Sequence, residues 1–86
     1  MSFIVYAISS VTKKYIYVGL TSNIEGRFKR HNLGYERTTK PYLPFILLYT
    51  ELYDDRDIAR KREKYWKSGI GKEKQRVMNE KPPLAP

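Results

Sequence analysis

Two short runs of β-branched and aromatic residues, separated by a polar stretch, open the sequence. The first covers residues 3–8 (FIVYAI) and the second residues 15–18 (YIYV), and both are too short for a helix. The residues between them, 9–14 (SSVTKK), are polar and typical of a turn. Two strands joined in this way predict an antiparallel hairpin, closed by Gly19. The remaining residues must therefore pack on, or extend, a small antiparallel sheet.

The next segment predicts a helix, a loop and a third strand. Residues 22–25 (SNIE) fit a capping box with Ser22 at the N-cap, so a helix should run to about residue 32, with Gly34 as a stop. Residues 34–44 are rich in Gly, Thr and Pro and predict a loop. Residues 45–53 (FILLYTELY) are the most apolar run and predict a well-buried strand.

Two more helices are predicted after this strand. Asp54 and Asp55 can cap a helix that runs to about Ser68 and ends at Gly69, and residues 72–79 predict a last, short helix. The order is strand, strand, helix, strand, helix, helix, which is typical of an α+β domain with a three-stranded antiparallel sheet. We expect one domain over residues 1–80. Residues 81–86 (KPPLAP) are expected to form a flexible tail, because their prolines cannot continue a helix.

Several kinds of protein are excluded by the composition. No apolar run approaches the ~20 residues that a membrane span needs, and the N-terminus lacks the basic leader of a signal peptide. There is no cysteine, which excludes disulfides, thiolate zinc sites and cysteine nucleophiles. We therefore expect a cytoplasmic protein.

The charge balance points to a polyanionic partner. Seventeen Lys and Arg against nine Asp and Glu give a net charge of +8 in 86 residues. Nucleic acid is the commonest partner of so basic a domain. A basic protein that is merely soluble is the alternative. An anionic membrane surface is disfavoured, because no predicted helix opposes a broad apolar face to a basic one.

The first predicted helix carries charged residues beside its apolar face. Ile24 and Phe28 define the inward face. At about 100° per residue, Arg27 and His31 lie one turn apart on the margin of that face. Either could be structural, since a long Arg side chain often lies along a helix margin and a lone His is commonly a boundary residue.

The second predicted helix places a carboxylate within its apolar stripe. Ala59 and Trp66 are its core anchors, and Glu63 lies between them at about 40° from Ala59. A carboxylate there is costly unless it meets a cation, a metal or hydrogen-bond donors. The structural alternative is an ion pair with Arg27 or Arg62.

Phosphodiester hydrolysis is the chemistry for which the chain has the parts. One His and no Cys leave too few zinc ligands, and neither a phosphate-binding glycine loop nor a nucleophile motif is present. A phosphodiesterase needs a carboxylate for a metal ion, a cation for the phosphate and a group that takes a proton from water. Glu63, Arg27 and a tyrosine meet these needs.

Four ordered segments between residues 3 and 67 resemble the GIY-YIG nuclease family. In order, they correspond to the GIY element, the YIG element, the helical arginine segment and the segment around the metal-binding glutamate: Ile4-Val5-Tyr6, Tyr17-Val18-Gly19, residues 26–31 (GRFKRH) and residues 62–66 (REKYW). Each motif is weak alone, and the four in this order are a strong signal. The family includes intron-homing endonucleases, restriction enzymes and a subunit of DNA excision repair.

The resemblance implies a role for each candidate residue. Glu63 would hold Mg²⁺ or Mn²⁺ with no other essential protein ligand, and Arg27 would stabilise the phosphate. Tyr17 would help to activate water, and Tyr6 would orient or assist. His31 falls where relatives carry a Tyr or His near the scissile phosphate. Asn79 matches an Asn that the family carries after the glutamate helix.

The sequence departs from the family pattern at two positions. Ile4 replaces the GIY glycine, and Leu20 stands where some repair-type members carry a Lys after the YIG glycine. With no separate DNA-recognition segment in this sequence, we expect DNA binding without strong sequence specificity and targeting through a protein partner. Outer phosphate contacts are expected from four basic residues on the two helices: Lys29, Arg30, Lys61 and Lys64.

These residues predict a DNA endonuclease and leave two other classes open. One is a module of the same fold that binds nucleic acid without efficient catalysis. The other is a basic adaptor that binds an acidic protein.

Overall fold

The computed structural model describes residues 2–69 and 71. Three strands and two α-helices follow one another there, with a short 3₁₀-helix before the last strand: β1 Phe3–Ser10, β2 Ile16–Thr21, α1 Ile24–Leu33, the 3₁₀-helix Lys40–Tyr42, β3 Phe45–Tyr53 and α2 Arg56–Lys67. The predicted α+β class and element order over this range are confirmed. The predicted helix over residues 72–79, with Asn79, and the tail over residues 81–86 lie outside the described residues.

The sheet is antiparallel throughout, with β1 between β2 and β3. Tyr6 therefore lies opposite Gly19 on one side and Thr50 on the other. Successive side chains of β1 point to opposite faces. Val5 and Ala7 pack in the cluster that contains Ala59 and Trp66 of α2, whereas Tyr6 and Ile8 pack in the cluster that contains α1 residues. The sheet is thus covered by α2 on one face and by α1 on the other.

The prediction that residues 45–53 form the best-buried strand is wrong. The buried strand is β1, in which every residue from Ile4 to Ser10 is buried. β3 is an edge strand, and Ile46, Leu47 and Leu52 are each at least 43% exposed. Hydropathy alone could not separate the two strands, because β1 is buried by its central position.

Helix α1 begins one residue later than predicted. Asn23, not Ser22, is the N-cap: its backbone is extended and its Oδ1 accepts a hydrogen bond of 3.1 Å from the N–H of Gly26. Glu25 then occupies the second helical position and makes no capping box. The predicted end is confirmed, since Gly34 adopts φ 80°, a left-handed conformation that glycine tolerates best.

Helix α2 begins at the predicted cap. Asp55 accepts hydrogen bonds of 2.7 Å and 3.2 Å from the N–H groups of Asp57 and Ile58. Within the described residues, neither α-helix has the length and apolar character that a membrane span requires.

Candidate active site

Three aromatic rings from separate elements meet on the α1 face of the sheet. Tyr6 of β1 and Tyr17 of β2 have ring centroids 6.2 Å apart, and His31 of α1 lies 5.8 Å from the first and 5.1 Å from the second. Tyr17 is half-buried, whereas Tyr6 is fully buried at 0% exposure. The two tyrosines and the histidine that the sequence singles out are therefore neighbours.

Helical phase predicted His31 on the margin of the inward face of α1. In the structure it lies in the middle of that buried face. It is 1% exposed and is the buried residue of that helix. Its Nε2 lies 2.8 Å from Tyr6 Oη, and its Nδ1 lies 2.8 Å from Thr39 Oγ1. Both ring nitrogens of His31 therefore already have protein partners.

Burial sets the protonation of this pair. It raises the pKa of Tyr6 well above its ordinary value of 10, assisted by Tyr17, and the Arg27 guanidinium offsets part of the effect through its charge and its donors. Burial also lowers the pKa of His31 below 6.5. At neutral pH the pair is therefore a neutral phenol and a neutral imidazole.

Gly19 packs against the Tyr6 ring. The prediction that Gly19 ends the second strand is wrong, since β2 continues past it. It lies inside the strand, opposite Tyr6. A β-carbon built on Gly19 would lie 2.5 Å from Tyr6 Oη and 2.6 Å from the adjoining ring carbon. Only glycine leaves space for the Tyr6 ring here, which gives the glycine of the YIG-like segment a physical reason.

A cavity of about 420 Å³ opens at the end of the sheet where β1 begins and β2 ends. Its walls come from β1, β2, the turn after β2, and both helices: Phe3, Leu20, Thr21, Ser22, Arg27, Arg56, Arg60 and Glu63. Arg27 and Glu63 therefore reach one cavity, although their helices cover opposite faces of the sheet. Tyr6, Tyr17 and His31 do not line it, but Arg27, which does, acts electrostatically on Tyr6.

The electrostatics of this cavity favour an anion. Among the residues that the structure describes, three arginines and one carboxylate line it. Arg27, Arg56 and Arg60 form no ion pair with another residue of the described chain. An anion that enters would meet guanidinium groups with unused donors.

Glu63 is not paired with Arg27 or Arg62, which were the structural alternatives. Its partner is Lys67, one turn further along α2, at 3.1 Å, and the Glu63 side chain is 18% exposed. Lys67 is half-exposed on a flexible side chain, so this contact is weak and can be exchanged. The carboxylate remains available from the cavity.

Helix α2 is held against β3 by a polar network on its inner face. Arg62 makes hydrogen bonds of 3.2 Å and 3.0 Å to the two carboxylate oxygens of Glu51, and Trp66 Nε1 donates to the same carboxylate at 3.2 Å. Tyr53 donates to it at 2.9 Å. The network fixes the rotation of α2 and so directs Glu63 toward the cavity.

The expected outer DNA contacts all lie on exposed helix surface. Lys61 and Lys64 line a smaller depression of about 240 Å³ next to the cavity, which they share with Arg60 and Glu63. Arg30 is engaged with Glu36 at 2.8 Å, whereas Lys29 is exposed. Sequence reasoning took Arg60 as an ordinary surface charge and missed Arg56 and Thr39. Only Arg60 gave a signal, because it lies one turn before Glu63.

The donor set fits a metal that keeps much of its own water. Among the described residues, no three His, Cys, Asp or Glu side chains gather into a cluster. Glu63 is the one carboxylate that the described part of the chain contributes to the cavity wall. Mg²⁺ is commonly held by one or two carboxylates together with waters and substrate phosphate oxygens. A single carboxylate in an open cavity lined by arginines is compatible with that mode.

Comparison with known proteins decides the family. The model of the GIY-YIG catalytic domain matches residues 2–76. The chain belongs to the GIY-YIG family. This family is of nuclease type, so the chain carries a nuclease-type domain.

The relatives are small proteins named UPF0213. A UPF0213 protein of Bacillus licheniformis is 39% identical over 67 residues, which is 77% of this chain and 69% of the relative. One from Staphylococcus haemolyticus is 31% identical over 77% of this chain and 82% of its own length. The solution NMR structure of a UPF0213 protein from Bacillus halodurans superposes with a TM-score of 0.57 at 26% identity, covering 96% of this chain and 89% of that one.

Proposed function

We propose that this domain is a metal-dependent endonuclease that hydrolyses phosphodiester bonds in DNA. One observation carries the proposal: Arg27 and Glu63, from helices on opposite faces of the sheet, line one cavity that is rich in unpaired arginines. The net charge of +8 adds a general attraction for a polyanion. Membership of the GIY-YIG family supplies the reaction class.

The phosphate is the group that the arginines would bind. Arg27 would contact the scissile phosphate and stabilise the negative charge that develops on it during hydrolysis. Arg56 and Arg60 would bind a neighbouring phosphate of the same strand, because they line the cavity from the α2 side. Lys61 and Lys64 extend this basic surface along α2, and Lys29 and Arg30 extend it along α1.

The metal would be held by Glu63. A bound Mg²⁺ or Mn²⁺ supplies Lewis-acid charge to the phosphate oxygens and lowers the pKa of a coordinated water. Before that, the Glu63 carboxylate must exchange Lys67 for the ion, which is a small change at a half-exposed pair. Glu63 is the residue on which metal dependence should rest.

The tyrosines divide into two roles. Tyr17 is half-buried and is the candidate that helps to activate water. Tyr6 is fully buried and already hydrogen-bonded to His31, so we assign it an orienting role toward Arg27, whose charge acts on it. His31 supports Tyr6 from below and does not touch the phosphate.

Cleavage of a panel of linear, flapped and branched DNAs with Mg²⁺ or Mn²⁺ tests the proposal. Wild type should cut at least one of them, and Glu63→Gln and Arg27→Ala should abolish cleavage, because each removes charge stabilisation worth several kcal/mol. Glu63→Gln should still bind DNA. Glu25→Gln, an exposed carboxamide control on α1, should cut like wild type. Equal cleavage by Glu63→Gln and wild type would overturn the assignment of the metal ligand.

A nucleic-acid-binding module without efficient catalysis is the second candidate. The observation that favours it is the Lys67–Glu63 contact, which places a cation on the carboxylate that would hold the metal. Lys67→Ala separates the two. In the nuclease, freeing Glu63 should preserve or increase cleavage at limiting metal. A wild type and a Lys67→Ala variant that both bind DNA and never cut it would favour the module.

A further inference from the structure

We propose that Thr39 is a positioning residue: through His31 it fixes the direction of the Tyr6 hydroxyl, and so the lone pairs that this hydroxyl turns toward Arg27 at the cavity. The inference rests on the proposed function for its effect on catalysis and on the geometry alone for its effect on His31. Thr39 lies in the loop between α1 and β3 and belongs to none of the family-like segments. It is 0% exposed.

In the described part of the chain, the hydroxyl proton of Tyr6 has one acceptor, which is a ring nitrogen of His31. Its hydroxyl is fully buried, so that proton cannot be given to bulk water and needs a protein acceptor. Arg27 offers only donors. Among the described residues, His31 Nε2, at 2.8 Å, is the acceptor within reach. Tyr6 Oη therefore donates to Nε2, which must carry no hydrogen.

His31 is therefore the tautomer that carries its hydrogen on Nδ1. A neutral imidazole carries one N–H, so a bare Nε2 places the hydrogen on Nδ1. Neutrality follows from burial, which lowers the pKa of His31, and the charges of Arg27 and Arg30 act in the same direction while Glu36 opposes them. Nδ1–H then donates to Thr39 Oγ1 at 2.8 Å.

The hydroxyl of Thr39 accepts from His31 and donates its own proton to the backbone. Thr39 Oγ1 lies 3.4 Å from the carbonyl oxygen of Glu36, to which its own proton is directed. The backbone N–H of Thr39 donates to the same carbonyl at 3.2 Å. The hydroxyl is thereby held with a lone pair toward His31, and the chain of donors runs in one direction from Tyr6 to the loop backbone.

The consequence reaches the cavity through Arg27. With its proton committed to His31, Tyr6 Oη presents only lone pairs to the guanidinium and acts as a fixed acceptor. Without the Thr39 hydroxyl, His31 is free to carry its hydrogen on Nε2, and the Tyr6 proton would turn toward Arg27. Two donors would then face each other, and Arg27 would move from its place.

The tautomer can be read directly, because His31 is the only histidine of the chain. The experiment records the ¹⁵N shifts and couplings of the two ring nitrogens at neutral pH, in the full-length protein without DNA. Wild type should show a protonated Nδ1 and a bare Nε2. Thr39→Val, which keeps the shape and removes the hydroxyl, should populate the Nε2–H form. Thr39→Ser should restore the wild-type pattern, and Thr38→Val, at the exposed neighbouring position, should leave it unchanged.

Cleavage by the same variants supplies the functional arm. Thr39→Val should reduce kcat about tenfold, by analogy with the loss of an outer hydrogen-bond partner of a metal-ligating histidine, and should leave DNA affinity nearly unchanged. Thr39→Ser should recover the rate. A wild type that shows the Nε2–H form, or a Thr39→Val variant with an unaltered tautomer, would overturn the inference. A wild type that cuts no DNA would remove the nuclease proposal, and the ¹⁵N result would still decide the role of Thr39.

Discussion

His31 links the buried polar chain to acid stability. It is 1% exposed and its folded-state pKa lies below the ordinary value of 6.5, with burial as the main cause. Below pH 6.5 the unfolded chain therefore binds more protons at this residue than the folded one, and the difference can approach one proton as the pH falls. The sign follows from linkage: the stability contributed by neutral His31 is complete above pH 6.5 and is lost as the pH falls toward its folded-state pKa.

We expect the free energy of unfolding to fall as the pH is lowered from 6.5, with a slope of up to about 1.4 kcal/mol per pH unit. Urea titrations at half-unit intervals measure this. His31→Gln removes the titrating group, so its stability, although lower at neutral pH, should be flat over the same window. A wild type with constant stability over this range would show that His31 is not buried in its neutral form.

The site residues illustrate what helical phase can and cannot predict. It predicted Arg27 beside the inward face and Glu63 within the apolar stripe of its helix, and both line the cavity. It misplaced His31, because Ile24 and Phe28 were taken as the centre of the α1 face and are only half-buried. Thr39 could not be predicted, since its approach to His31 depends on the path of an irregular loop.

At the scale of elements, α2 is aligned by a carboxylate that it does not itself contain. Glu51 of β3 accepts from Arg62 and Trp66 of α2. Burial tends to raise the pKa of Glu51, but the donors of Arg62, Tyr53 and Trp66 outweigh it and hold the pKa below 4.5. The ionised form therefore stabilises the fold above pH 4.5, and this contribution is lost as the pH falls through the folded-state pKa.

Glu51→Gln should destabilise the domain by about 1–3 kcal/mol at pH 7, because an amide cannot satisfy the donors that the carboxylate accepts. The difference from wild type should shrink below pH 4.5, where Glu51 begins to protonate. Chemical denaturation at pH 7 and pH 3.5 measures both values, with Glu25→Gln as an exposed control. A loss that is equal at the two pH values would contradict the ionised network.

The edge position of β3 shows why the elements were easier to predict than their arrangement. Periodicity and caps predicted three strands and the ends of both helices to within one or two residues. The pairing order placed β1 in the centre, and no local signal in residues 3–10 or 45–53 distinguishes a central strand from an edge strand.

At the scale of the whole molecule, a group of basic side chains from the described residues lies where two helices meet one end of the sheet. Arg27, Arg56 and Arg60 line the cavity there, and Lys61 and Lys64 adjoin it. The opposite end of β1 carries the turn between the first two strands, with exposed Lys14. A DNA strand bound along the cavity would lose counterions where its phosphates meet these basic residues. The end of the sheet that carries Lys14 would not contribute.

DNA affinity should therefore depend steeply on salt, and the dependence should be local. Each lost phosphate contact lowers the slope of log K against log salt by about one. Arg60→Gln should lower it by that amount, and Arg56→Gln together with Arg60→Gln by about two. Lys14→Gln removes the same single charge from the far end and should leave the slope unchanged. Fluorescence anisotropy with a labelled duplex between 50 and 200 mM salt, a range over which such contacts have large effects, measures the slopes.

Equal slopes for Arg60→Gln and Lys14→Gln would mean that only net charge attracts DNA, and would contradict the assignment of the cavity as the DNA-binding site. Affinity that does not change with salt at all would instead favour a basic adaptor for an acidic protein.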